Sequence, residues 1–171
     1  MNIFFLSRDP TLAAQYQCDK HVVKMVLETA QLLSTTHHVL ETENLPDFIY
    51  RKTHANHPCA IWARSSIANY KWLTTHGLAL CAEYTHRYNK VHKSQTLIEW
   101  ASANIPNIQT VNFSNPPQAM PEIYKNDNYI KAYRSYYIKY KMEMIKCIWT
   151  KRPRPFWTMP FEVQRFEFDR L

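Results

Sequence analysis

Glycine is almost absent from this sequence, which has one glycine, Gly77, and ten prolines in 171 residues. Tight β-hairpin turns use glycine for backbone conformations with a positive φ angle, so a hairpin-rich β fold is disfavoured. Nucleotide-binding motifs such as G-x-G-x-x-G and G-x-x-x-x-G-K need at least two glycines within a few residues. The sequence therefore excludes a glycine-rich phosphate-binding loop.

Long apolar runs are missing as well. No apolar run approaches the roughly 18 residues that cross a bilayer. The start, MNIFFLSRDP, lacks the basic segment and the long apolar centre of a signal peptide. We therefore predict a protein with no membrane partner that stays in a cytoplasm, namely the host cytoplasm if a phage encodes it.

Paired cysteines are also missing. No two of the four cysteines form a C-x-x-C motif, which disfavours a zinc ribbon or zinc knuckle. In a cytoplasm, unpaired cysteines of this kind are expected to be free thiols. We predict no metal and no cofactor. The cysteines are Cys18, Cys59, Cys81 and Cys147.

Positive charge and apolar residues are abundant. Lysine and arginine number 21 against 14 aspartate and glutamate, which gives a net charge of +7, and 46% of the residues are hydrophobic. This length and composition predict one domain over residues 1–171 with a sizeable core. The excess of positive charge favours a polyanion such as DNA, or a nucleotide, as the partner. Ordinary solubility charge is the alternative.

Helical periodicity dominates the sequence and predicts a compact all-α fold of three or four main helices. The run NIFFL is either a strand stub or a packed N-terminal tail. Helix starts are marked by Asp9 before Pro10, and by Asn56 or His57 as the cap before Pro58, since Pro fits the first helical position. The predicted segments are a helix over 10–39, a second over 58–90 kinked at Gly77, a third over 94–104 capped by Ser94, an irregular Pro-rich segment over 105–125, a fourth helix over 126–151 capped by Asn126 or Asp127, and an aromatic-basic tail over 152–171.

A polar strip runs along the first predicted helix, in the stretch CDKHVVKMVLETAQLL. At about 100° per residue, Lys20, Lys24 and Glu28 share one narrow side with His21, and apolar residues fill the rest. The strip either meets solvent, with Lys24 and Glu28 as an i,i+4 ion pair, or lines a cleft. In a cleft Lys24 is an amine nucleophile and Glu28 an acid, base or cation stabiliser. A metal site on Cys18 and His21 lacks a second ligand pair.

Five further residues are predicted to bind the substrate. His57 and Arg64 lie near a helix N-terminus, which attracts anions such as phosphate, although a cap in a solvated loop is equally consistent. Asn69 is surrounded by bulky side chains, so it either fixes helix packing or reads a base edge. Arg154 and Trp157 belong to the tail, where basic and aromatic residues suit phosphate contact and base stacking.

Several motifs together resemble a known family. They are the start MNIFFL, a helix with an internal glutamate, an H-P pair that opens a helix ending in LCAEYTHRY, and the tail run RPFW. These motifs resemble the pyrimidine-dimer DNA glycosylases of the endonuclease V type, over about the first 90 and the last 25 residues. The sequence is also similar to uncharacterised phage-encoded proteins.

The resemblance implies an all-α fold that acts on a base flipped from duplex DNA. It also implies that an N-terminal α-amine attacks the sugar and forms an imine, supported by a helix glutamate. Carried over, the amine is that of Met1, which the bulky Asn2 should keep in place, and the carboxylate is that of Glu28. The family places arginines beside its glutamate, whereas Val26 and Leu27 precede Glu28 here.

The favoured function is therefore a DNA-base-processing enzyme with glycosylase and AP-lyase chemistry through an imine. In this interpretation Glu28, Met1, Lys24 and His21 are catalytic. Lys20 joins the five substrate-binding residues named above. One alternative is a base- or nucleotide-modifying enzyme on the same scaffold. Others are a nucleic-acid-binding or inhibitor protein without chemistry, and an adaptor for an acidic protein.

Overall fold

A computed structural model describes residues 1–159, and this part of the chain is helical with no β-strand. The predicted all-α class is confirmed. Residues 160–171 of the predicted aromatic-basic tail lie outside the described part. The helices are α1 Pro10–Gln15, α2 Asp19–Val39, α3 Pro58–Ser65, α4 Ile67–Tyr88, α5 Gln95–Ala103, α6 Tyr129–Tyr136 and α7 Met142–Met144, with a π-helical stretch over Tyr137–Lys141 and 3-10 turns over Glu122–Tyr124 and Phe156–Thr158.

The centre of the fold is the pair α2 and α4, which pack against each other and both contact α3 and α5. Gly77 lies inside the uninterrupted α4 rather than at a break in it. A Cβ at this position would lie 2.8 Å from Cγ2 of Thr29 and 3.0 Å from Cγ2 of Ile98. The glycine therefore permits the close approach of α2 and α5 to α4.

The predicted helix over 10–39 is two helices, α1 and α2. Asp9 caps α1 as predicted, since its Oδ1 accepts hydrogen bonds from the amides of Thr11 and Leu12. The break follows because Arg87 binds the last carbonyls of this turn, with Nη2 donating to Gln15 O at 3.0 Å and Nη1 to Gln17 O at 2.7 Å. A side chain that lies about 70 residues away in sequence therefore ends α1.

The second predicted helix is also two helices, α3 and α4. His57 caps α3, with Nδ1 accepting from the Cys59 amide at 3.1 Å. Ser66 separates α3 from α4 with extended backbone, φ −155° and ψ 141°. Its Oγ accepts from the Ala68 amide and donates to Val111 O at 2.6 Å. The interruption thus serves both as a cap and as an anchor for the Pro-rich segment.

The fourth predicted helix is shorter than expected. Asn128, rather than Asn126 or Asp127, caps α6, and helical structure ends at Met144. The following residues are irregular because they bond across to other elements. Ile148 O accepts from the Asp19 amide at 2.8 Å, and Thr150 Oγ1 donates to the Asp19 carboxylate at 2.6 Å. The predicted irregular segment over 105–125 is confirmed, apart from its single 3-10 turn.

The chain start is a packed tail and not a strand. Ile3, Phe4, Phe5 and Leu6 are all buried in the core, and Arg134 Nε donates to Leu6 O at 3.0 Å. Among residues 1–159, no helix is both long enough and apolar enough to cross a membrane.

Candidate active site

The first residues of the chain are fixed against α2. The backbone amide of Asn2 donates to Oε2 of Glu28 at 2.9 Å. The Asn2 side chain donates to Ala119 O at 3.0 Å and accepts from the Ile3 amide at 2.8 Å. Asn2 is therefore held on both sides, by α2 and by the Pro-rich segment, and this fixes the position of the residue before it, Met1.

A cavity of about 170 Å³ opens beside this clamp. Its walls come from the chain start, from one side of α2, from Ala119 and from α6 with the π-helical stretch after it. The cavity brings together all four residues predicted to be catalytic. Larger open grooves of about 490 and 500 Å³ run along α6 and beside Arg64, but their linings include none of these four residues. Met1 lines the cavity together with the polar residues Asn2, His21, Lys24, Glu28, Tyr136 and Lys141.

Glu28 is a buried carboxylate on the floor of this cavity, with 9% of the residue exposed. One oxygen accepts from the Asn2 amide, and the other lies 3.3 Å from Nζ of Lys24. Lys24 is 67% exposed and stands at the cavity mouth. Because Glu28 is buried beside the cavity, the polar side of α2 lines a cleft and is not fully exposed to solvent. Val23 and Leu27, which were expected in the packed face, are exposed instead.

The N-terminus of α3 lies within electrostatic range of the same groups. Burial lowers the pKa of His57, the positive charges of the α-amine and His54 lower it further, and the negative charge of Glu28 opposes them. Burial raises the pKa of Cys59 to about 12, where the α-amine lowers and Glu28 raises it. Both charges therefore reach the first turn of α3. His57 does not line the cavity itself.

His21 is oriented by a buried tyrosine. Tyr137 accepts a hydrogen bond from the Cys18 amide at 2.8 Å, and its hydroxyl oxygen lies 2.6 Å from Nδ1 of His21. Burial raises the pKa of Tyr137 well above its ordinary value, so the hydroxyl stays protonated beside Nδ1. The hydrogen bond between the two side chains holds the His21 ring in its orientation. The Phe4 ring, 4.8 Å away, packs against the imidazole.

Arg64 and Asn69, two of the predicted substrate-binding residues, lie outside the cavity. Arg64 donates to Ala55 O at 2.7 Å beside a separate groove. Asn69 is fully buried, and its amide donates to Trp62 O and Ser114 Oγ while its oxygen accepts from the Ser114 amide. An amide that is buried and bonded on both sides offers no edge to a base, so the packing interpretation describes Asn69.

The remaining predicted binding residues also lie apart from the cavity. Lys20 is exposed on α2 but does not line the cavity. Arg154 is exposed and donates to Thr158, through Nε to Oγ1 and through Nη2 to the carbonyl. Trp157 is 6% exposed and packs against Tyr16 and other aromatic rings. A ring so buried is a core residue and has no free face for base stacking.

Sequence reasoning missed three residues of the site, namely Asn2, Tyr136 and Lys141. Tyr136 is buried in the cavity wall, and Nζ of Lys141 lies 5.1 Å from its ring centre, a cation–π contact. No local signal marks these two residues, because they reach the cavity only through the packing of α6. The large side chain of Asn2 was noticed in the sequence, but it was used only to predict that Met1 is retained.

The chain start and α2 lie in the part of the sequence that matches a known family. A family model described as pyrimidine dimer DNA glycosylase matches residues 1–96. The chain belongs to the pyrimidine dimer DNA glycosylase family. The predicted family is thereby confirmed, and membership indicates a DNA-repair glycosylase whose substrate is DNA. Comparisons with curated proteins and with solved structures gave no match.

The part shared with the pyrimidine dimer DNA glycosylases runs from Met1 to the start of α5. It contains the α-amine, Lys24 and Glu28, and therefore the floor and the mouth of the cavity. The wall formed by Ala119, Tyr136 and Lys141 lies beyond it, as does the tail run that also suggested the family.

Proposed function

We propose that this chain is a DNA glycosylase with AP-lyase activity, in which the α-amine of Met1 attacks C1′ of a damaged nucleotide. One observation carries the proposal: Met1 and the buried Glu28 line one cavity, with the Asn2 amide bonded to Glu28. A nucleophile and a carboxylate held side by side are the groups that covalent glycosylase chemistry needs. Family membership independently supports DNA as the substrate.

The reaction uses these two groups together with proton exchange with solvent. The amine nitrogen forms a bond to C1′, the bond from C1′ to the base breaks, and the base leaves with the bonding electrons and is protonated. The nitrogen loses a proton to Glu28, which passes it to the ring oxygen as the sugar opens to the imine. Elimination then removes a proton from C2′ and breaks the C–O bond to the 3′ phosphate. As a carboxylate, before and after this proton transfer, Glu28 also stabilises the cationic sugar and the protonated imine.

The other polar residues of the cavity have supporting roles in this proposal. Lys24 and Lys141 are cations at its rim and suit contact with the phosphates that flank the lesion. His21, oriented by Tyr137, is placed to exchange a proton with the departing base. Lys24 is a second amine in reach of the site, so the nucleophile needs to be identified by experiment.

Borohydride trapping tests the proposal. The protein is incubated with end-labelled duplexes that carry a pyrimidine dimer or an abasic site, and borohydride is added. Reduction of an imine gives a stable protein–DNA adduct on a denaturing gel. Peptide mapping should place the adduct on the Met1 amine, and intact mass should show that Met1 is present. Lys24→Ala should keep the adduct, as should its control Lys20→Ala on the exposed part of α2.

Each other outcome has a definite meaning. An adduct that maps to Lys24 keeps the imine chemistry and replaces the nucleophile. Tight binding of both duplexes without any adduct overturns the lyase mechanism and favours base modification or plain binding. In that case Glu28→Gln separates the two, because loss of turnover with retained binding indicates an enzyme. Glu99→Gln, on the surface of α5, is the matched carboxylate control.

A further inference from the structure

Two cysteines that are far apart in sequence meet in the fold. Sγ of Cys18 and Sγ of Cys147 are 3.1 Å apart, although the two positions are separated by 129 in sequence. Cys18 is the buried residue before α2, and Cys147 is partly exposed in the irregular segment after α7. The backbone bond from the Asp19 amide to Ile148 O, one residue further along on each side, fixes the two segments together.

The two sulfurs need to move only a short distance to form a disulfide bond, and the segment that carries Cys147 is the one that can move. A disulfide bond is about 2.05 Å long, so the sulfurs must approach by roughly 1 Å. Cys147 lies in backbone without helical hydrogen bonds, which can make this movement at less cost than the start of α2. The other two cysteines differ. Burial raises the pKa of Cys59 and of Cys81 to about 12, so both stay protonated thiols.

The surroundings of the pair favour one shared negative charge. The Cys147 thiol donates to Cys18, and this hydrogen bond lowers the pKa of Cys18 against the effect of burial, with help from His21. Nδ1 of His21 is 3.6 Å from Cys18 Sγ. The same hydrogen bond, together with burial, raises the pKa of Cys147, and the positive charges of Arg154 and Lys20 only oppose this rise. The pair therefore holds one proton on Cys147 and one negative charge on Cys18, and transfer of that proton to Cys18 makes Cys147 the nucleophile.

We propose that Cys18 and Cys147 are an oxidisable dithiol, a modification site for low-molecular-weight disulfides such as oxidised glutathione. The partly exposed Cys147 passes its proton to Cys18 and attacks one sulfur of the reagent, whose S–S bond breaks and releases one glutathione thiolate. Cys18 then loses that proton, attacks the Cys147 sulfur and releases the second. Two protein thiols lose two electrons and two protons, and oxidised glutathione becomes two molecules of reduced glutathione. The exposed cations Lys20 and Arg154 also suit the anionic reagent.

The test is to treat the folded full chain with oxidised glutathione, quench with acid and measure the mass. The expected product has lost two hydrogen atoms and carries no glutathione. Its digest contains one cross-linked peptide pair joining Cys18 and Cys147, and dithiothreitol reverses the change. Cys147→Ser should abolish the cross-link. Cys18→Ser should stop at a stable glutathione adduct on Cys147, and Cys59→Ser should behave as the wild type.

Three results would overturn this proposal. The first is a glutathione adduct that persists on Cys147 in the wild-type chain. The second is a cross-link that involves Cys59 or Cys81. The third is no mass change under conditions where iodoacetamide alkylates Cys147. All three are read from the wild-type chain, so they hold even if a serine at the buried Cys18 position prevents folding. None depends on glycosylase activity.

Discussion

Two buried glutamates occupy very different surroundings in this molecule. Glu83 on α4 is 3% exposed and is bound by Nε and Nη2 of Arg87 and by Arg152, in a cluster that also includes Asp19. Glu28 on α2 is held by one backbone amide and one exposed lysine beside a cavity. Within residues 1–159, the charge of Glu83 is matched by two arginines, whereas the charge of Glu28 is paired with one mostly exposed lysine and borders a cavity. A buried carboxylate whose charge is not fully matched by cations can still interact with a charged group that enters the cavity.

The largest expected effect is on the rate of base excision when the charge of Glu28 is removed. Glu28→Gln keeps the shape of the side chain and removes the charge. If Glu28 accepts the proton and stabilises the imine, single-turnover base excision should slow by about 10²–10⁴-fold. The rate on a duplex with a pyrimidine dimer, measured beside Glu99→Gln, checks this. An unchanged rate would remove Glu28 from the mechanism.

The same substitution at Glu83 should act on stability. Glu83→Gln leaves the fully buried Arg87 with only Asp19 and backbone carbonyls as partners. Breaking a buried ion pair costs about 3–5 kcal/mol in the free energy of unfolding. Urea unfolding of the variant and of Glu99→Gln measures the difference. Equal midpoints for the two would mean that the arginine cluster contributes little.

Acid should weaken the core around two buried histidines, His76 on α4 and His37 on α2. Burial lowers the pKa of His76 and of His37 to about 4. Between the unfolded value of about 6.5 and that value, the unfolded chain binds more protons. Stability is therefore complete above about pH 6.5 and is lost as the pH falls towards 4, by about 2 kcal/mol per histidine at pH 5. Urea midpoints at pH 7 and pH 5 test this, and His76→Gln should reduce the loss.

The smallest expected effect is on stability, when Lys24, the exposed partner of Glu28, is removed. Its ion pair with Glu28 is 3.3 Å long, but the lysine is mostly exposed, so Lys24→Ala should change stability by less than about 0.5 kcal/mol. If Lys24 contacts DNA phosphate, the variant should instead weaken DNA binding and lower its dependence on salt. Lys20→Ala is the control on the same helix. A stability loss above about 1 kcal/mol would mean that Lys24 is structural.

The sequence predicted those features that depend on neighbouring residues. Asp9 was recognised as a helix cap, and His57 as one of two candidates beside Asn56, because a cap and its partner amides are two or three residues apart. Glu28 was recognised because the helical period aligns it with Lys24. The breaks at Gln17 and Ser66 were missed because Arg87 and the Pro-rich segment, both distant in sequence, stabilise them.

In the candidate site, too, the features that depend on neighbouring residues were predicted, and those that depend on distant residues were missed. The strip on α2 was visible on its own, but its relation to Met1 came from the family resemblance and not from spacing. Asn69 and Trp157 were assigned to binding because buried and exposed polar or aromatic residues look alike in a sequence. Tyr136 and Cys147 meet the N-terminal part only through tertiary packing, which no local pattern encodes.

The clamp between Asn2 and Ala119 has a consequence for biosynthesis. The cavity joins the first residue of the chain to Lys141, so its walls are among the most distant contacts in the fold. Contacts of such long sequence separation form late in folding. A nascent chain can form α1 to α5 on the ribosome while the cavity still lacks a wall. The cavity is therefore complete only after Lys141 has been synthesised, when the helical core is already in place.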